Sequence, residues 1–136
     1  MKKVSIIGAG SWGIALSVVL AKNGHDVIVW SIIKEEIDML KEKREHVDKL
    51  PGVKLDEKIV FTTDLESAVK ESDMIVLAVP SVFTRSTARS MAAFVKDDQI
   101  IVCVAKGIEE ETLMTITDVV ESEIKNADVA VMCGPS

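Results

Sequence analysis

Val4-Ser5-Ile6-Ile7-Gly8-Ala9-Gly10-Ser11-Trp12-Gly13 is the stretch on which the fold turns. Residues 4–7 are a short, β-branched, mostly apolar run, which predicts a buried parallel strand. Residues 14–21 predict a helix, with Asn23-Gly24 as its stop signal. Between them lies G-x-G-x-x-G, and each glycine has its own task. Gly8 permits the tight turn out of the strand, Gly10 lets a pyrophosphate approach the backbone, and Gly13 lets the helix lie close to the sheet. The free N–H groups at the helix start then face the phosphates, with the positive end of the helix dipole behind them. A lone G-x-G-x-x-G is weak evidence. Here strand, glycines, helix and a second strand at residues 26–30 follow in order within the first thirty residues, which points to a dinucleotide site.

Outward from this unit, the rest of the chain repeats the alternation of strand and helix. Residues 31–44 carry Ile33, Ile37 and Leu40 at helical spacing on an otherwise charged segment. Residues 46–58 read as a loop around Pro51-Gly52. A third strand is expected at 59–61, a helix capped by Thr63 or Asp64 running to about Glu71, and a buried fourth strand at 74–79 ended by Pro80. Residues 82–95 are helical in pattern. A fifth strand at 100–104 breaks at Ala105-Lys106-Gly107. Leu113, Ile116, Val120 and Ile124 mark a helix face, and a sixth strand covers 129–133. The expected fold is a single α/β domain over residues 1–136. Its core is a doubly wound parallel sheet of about six strands, the Rossmann dinucleotide-binding arrangement.

Composition bounds the function. The 136 residues are 48% hydrophobic, enough for one real core. No apolar run approaches the roughly 18 residues of a membrane span. Lys2 and Lys3 ahead of an apolar stretch mimic a secretory signal, but cleavage there would destroy the strand–glycine–helix unit. A net charge of −6 and the lack of a basic cluster argue against nucleic acid and anionic membranes as partners. Cys103 and Cys133 lie in apolar, strand-like runs without metal-ligand spacing, as expected of reduced core thiols in a cytoplasmic protein. Asp26, Asp73, Asp97-Asp98 and Asp128 stand before strands, whereas glycines, hydroxyls and Lys106 stand after them. That asymmetry either steers an anionic dinucleotide to the carboxyl edge or reflects the preference of Asp for turns.

Four stretches together resemble one family: Gly8-Ala9-Gly10-Ser11-Trp12-Gly13, Ala78-Val79-Pro80-Ser81, Ala105-Lys106-Gly107-Ile108-Glu109 and Cys133-Gly134-Pro135-Ser136. They are similar to the bacterial-type NAD(P)-dependent glycerol-3-phosphate dehydrogenases, over the N-terminal half of such an enzyme. The resemblance implies a further helical domain, absent from this chain, that supplies a catalytic lysine and most of the substrate site. It also implies NAD or NADP as cofactor, and reduction of dihydroxyacetone phosphate to sn-glycerol 3-phosphate for phospholipid synthesis. By resemblance, Ser11 and Trp12 touch the cofactor beside Gly8, Gly10 and Gly13. Pro80 and Phe83 lie toward the nicotinamide, Lys106 contacts the nicotinamide end or the substrate, and Gly134 and Ser136 line the cofactor. Trp12 as a cover for the helix start and Phe83 as ordinary core are the structural alternatives.

The end of the second strand departs from the usual pattern. Ser31, Ile32 and Ile33 provide neither an acid for a ribose 2′-OH nor a base for a 2′-phosphate. Lys34 is within reach of a 2′-phosphate, whereas Glu35 and Glu36 would repel one. The family's Asn and Tyr in the following loop are here His46 and Lys49, so no site is carried over from that loop, and neither His25 nor His46 is assigned chemistry. A homodimer is the expectation for the full-length form. The rival readings are another two-domain dehydrogenase, of hydroxyacyl-thioester or sugar-nucleotide type, and a module that senses a dinucleotide without chemistry.

Overall fold

The computed structural model describes residues 2–97, 99–104 and 108–132. Its strands are β1 (Lys3–Ile7), β2 (Asp26–Trp30), β3 (Val60–Thr62), β4 (Met74–Leu77), β5 (Ile100–Cys103) and β6 (Asp128–Val131). They form one sheet in the order β3-β2-β1-β4-β5-β6, and every pairing is parallel. The helices are α1 (Ser11–Lys22), α2 (Lys34–Lys43), α3 (Leu65–Lys70), α4 (Thr84–Met91) and α5 (Ile116–Glu123). This is the doubly wound α/β fold expected from the alternation.

Side chains along a strand alternate between faces, so the buried residues split into two clusters. Ile6, Val29 and Val76, in register across three neighbouring strands, pack with Ile14 of α1 and Ile37 and Leu40 of α2. Ile7, Ile75, Leu77, Ile101 and Cys103 point the other way, onto Ala68 and Val69 of α3, Ala88 and Met91 of α4, and Val120 of α5. Continuous apolar runs make sense in strands covered on both sides.

Several boundaries differ from those expected, each for a local reason. Helix α1 begins at Ser11, inside the glycine motif, because Gly10 is its N-cap. The helix expected from residue 31 begins at Lys34. Ser31 instead continues alongside β3 through its N–H to the Thr62 carbonyl, and its Oγ accepts the Ile33 N–H at 3.1 Å. The helix expected over 82–95 is a single 3₁₀ turn, Ser81–Phe83, followed by the shorter α4. Leu113 does not belong to α5: it has φ +61° and is 70% exposed. Its N–H bonds the Glu109 carbonyl within a tight loop, and Thr115 starts the helix by accepting the Asp118 N–H. Cys103 is buried, as expected, and burial, with the Glu121 charge, pushes its thiol up to about 11. Cys133 lies outside the described residues.

Candidate dinucleotide cleft

The carboxyl ends of the central strands open into a cleft of about 1070 Å³. Its floor is the glycine turn, and the three glycines there differ physically. Gly8 has φ +119°, and a Cβ on it would meet the Ala78 carbonyl carbon and oxygen at 2.8 Å. Its N–H donates to the Trp30 carbonyl at 2.9 Å, tying the turn to the end of β2. A Cβ on Gly13 would collide with the Gly8 carbonyl oxygen, so Gly13 lets α1 lie on the turn itself and stands behind the cleft wall. Gly10 is unlike either. Its φ is −77°, open to any residue, and nothing lies within 4 Å of a Cβ built there. The chain has no packing need for glycine at this point, and the space it leaves opens into the cleft.

Helix α1 leaves that space electropositive. Its N-cap contributes no side-chain bond and its first turn contains no acid. The first turn's N–H groups have no acceptor within the helix, and Ile14 is the first residue whose N–H returns to Gly10, at 2.9 Å. The Ser11 hydroxyl is turned away, donating to the Lys49 carbonyl at 3.0 Å. Gly10, Ser11 and Trp12 all line the cleft, with Trp12 60% exposed. This set fits the pyrophosphate of a dinucleotide: bare amides, a helix dipole and no competing carboxylate.

The two arms of the cleft differ in chemistry. One is walled by Ala78, Val79, Pro80, Ser81 and Phe83, with Ser86 and Thr87 of α4 and then Val104 and Met132. Phe83 is 57% exposed there, so it is not ordinary core. The other arm is walled by Trp30, Ser31, Ile32 and Ile33, together with Glu36 and Lys49. Lys34 does not line it; its ammonium pairs with Asp38 at 2.8 Å, one helical turn on, and that carboxylate raises its pKa. Lys106, Gly134 and Ser136 lie outside the described residues.

Sequence reasoning missed the polar group on the second arm. Glu36 accepts from Ser31 Oγ on one oxygen at 2.7 Å, and contacts His46 Nε2 at 2.7 Å and Lys49 Nζ at 3.3 Å on the other. Burial alone would raise its carboxyl, but the bonds from His46 and Ser31 and the Lys49 charge outweigh it, so the group stays below the usual carboxylate range. The departure at residues 46 and 49 was the signal available in the sequence. On the acidic edge, Asp73 accepts the Lys3 N–H at 2.9 Å, a structural use that ties the start of β4 to β1. On α4, Arg85 grips Glu109 with two bonds of 2.8 Å and holds that carboxyl down at about 2.

Comparison with known proteins extends these observations. Residues 3–136 match the family model described as the NAD-dependent glycerol-3-phosphate dehydrogenase N-terminus. The chain is 74% identical over 136 residues to a glycerol-3-phosphate dehydrogenase [NAD(P)+] of Agathobacter rectalis, and 51% identical to one of Fusobacterium nucleatum. It is covered completely in both cases, yet spans only 40% and 41% of those relatives. The crystal structure of glycerol-3-phosphate dehydrogenase from Coxiella burnetii superposes with a TM-score of 0.92 at 28% identity, over 99% of this chain and 41% of that one. No helix among the described residues is long and apolar enough to cross a membrane.

Proposed function

The chain belongs to the NAD-dependent glycerol-3-phosphate dehydrogenase N-terminal family, and on that premise we propose that it is the dinucleotide-binding part of an enzyme reducing dihydroxyacetone phosphate to sn-glycerol 3-phosphate. The observation that carries this reading is the empty space over Gly10, in front of the uncapped start of α1. The α1 amides hold the pyrophosphate there, the arm at Trp30 takes the adenosine, and the arm at residues 80–83 takes the nicotinamide. Bound NAD(P)H supplies the hydride. Phe83 and Pro80 give the ring an apolar wall. Lys106, which follows β5 in sequence, places a cation beside the carbonyl oxygen as negative charge develops on it. Gly134 and Ser136, which the family resemblance assigns to the cofactor, belong to the same proposal. The phosphate of the substrate is held by the part of such proteins beyond the matched two fifths. The cytoplasmic location, the full-length homodimer and the lipid-precursor role belong to the same proposal; Cys103, kept as a buried thiol, is in keeping with the first.

The test is calorimetric titration of this chain with NADH and NADPH, before and after Gly10→Val. The branched side chain enters the pyrophosphate space without disturbing the fold, so affinity falls by at least about tenfold, some 1.4 kcal/mol, while the circular dichroism spectrum stays unchanged. Unaltered affinity would overturn the phosphate site.

A further inference from the structure

We propose that Lys49 is the residue by which this chain recognises a dinucleotide's 2′-phosphate, with Glu36 as its resting counterion. The proposal rests on the cleft reading above, which puts the adenosine ribose at the end of β2. The β2–α2 turn itself offers Ser31, Ile32 and Ile33, none of them charged, and Ile32 is 80% exposed at the rim. Lys34 is turned onto Asp38. Among the described residues lining the cleft, Lys49 is the one cation and Glu36 the one acid.

The local geometry fixes the base of Lys49 and leaves its tip free. Its carbonyl accepts the Ser11 hydroxyl at 3.0 Å, and its N–H donates to His46 Nδ1 at 3.2 Å. The next residue returns to the His46 carbonyl through the Leu50 N–H at 3.0 Å. Only the four-carbon stem can swing. Its side chain is 46% exposed, and at 3.3 Å its contact is the longest of the three on Glu36.

Glu36 is built to release it. His46 Nδ1 accepts a backbone N–H, so the ring carries its proton on Nε2 and donates it to Glu36. His46 and Ser31 therefore keep both carboxylate oxygens hydrogen-bonded when Lys49 leaves. With NAD the ion pair stays intact. With NADP the ammonium exchanges the carboxylate for a phosphate that carries more charge, while Glu36 opposes that phosphate and moderates the gain. One site thus accepts both cofactors, and the balance between them lies in this pair.

The test measures dissociation constants of this chain for NADH and NADPH by calorimetry, in the parent and in Lys49→Met, Lys49→Arg and Glu36→Gln. Lys49→Met weakens NADPH by about tenfold and NADH by less than about twofold, and Lys49→Arg retains NADPH binding. Glu36→Gln tightens NADPH relative to NADH, and the effect of Lys49→Met shrinks as salt is raised. An unchanged NADPH-to-NADH ratio in Lys49→Met, with both cofactors still sensitive to Gly10→Val, would overturn the Lys49 assignment and leave the cleft reading standing. If neither dinucleotide binds the parent chain, the cleft reading falls and takes this proposal with it.

Discussion

Gly8, Gly10 and Gly13 share a motif, but their Cβ positions separate structural need from functional need. Gly8 needs a positive φ and a close approach to the Ala78 backbone; Gly13 needs contact with the Gly8 carbonyl; Gly10 needs neither. Gly8→Ala and Gly13→Ala are therefore each expected to lower stability by about 1–3 kcal/mol through backbone strain or overpacking. Gly10→Ala should stay within about 0.5 kcal/mol of the parent. Urea denaturation of the three variants measures this, and a Gly10→Ala loss equal to that of Gly8→Ala would contradict the assignment. The pattern of glycines was legible in the sequence, and so were the structural tasks of Gly8 and Gly13, because their spacing relative to strand and helix constrains the backbone. Lys49 was not. Its partner Glu36 is 13 residues away on a different element, and only the closure of the intervening loop brings the two to one wall.

Between elements, α4 and α5 are joined by charge as well as by packing. Arg85 bonds Glu109 twice and Glu123 at 2.7 Å, and Arg89 reaches Glu123 as well. Replacing Arg85 with Met leaves two carboxylates without their shared cation, so the melting temperature falls at pH 7. Glu109 has its folded pKa lowered from 4.5 to about 2, chiefly by the Arg85 bonds. Its contribution is therefore fully present above about 4.5 and is lost as the pH falls toward 2. Melting curves of parent and variant should converge across that window; a constant gap would rule out the ion pair as the cause. Strands were readable here because a strand buried on both faces must be a continuous apolar run. Helix ends were less so. Leu113 keeps the apolar period of α5 but falls in the loop that Thr115 closes, because periodicity records burial and not the capping bond that starts a helix.

At the scale of the whole molecule, the cleft lies where the chain changes direction across the sheet. Connections from β1 run outward to β2 and β3 on one side, and β4, β5 and β6 fill the other. The described walls of the arm at residues 80–83 hold no cation to anchor a small phosphate. Residues 1–136 are accordingly expected to bind NADH without oxidising it when dihydroxyacetone phosphate is added, because hydride transfer needs the carbonyl held at roughly 3–3.5 Å from the ring. Absorbance at the NADH band checks this, and enzyme-dependent decay would show that the chain holds its own substrate site. The strand order also shapes how the protein is made. β1 leaves the ribosome ahead of the other strands of this sheet, and β2 soon covers one of its edges. The other edge waits for β4, about seventy residues later. At 5–20 residues per second, a bare row of backbone amides and carbonyls stands at the heart of the nascent sheet for roughly 4–14 seconds. The strand that carries the glycine turn is thus the one whose second partner is longest in coming, and its edge is open to mispairing with a neighbouring chain for that time.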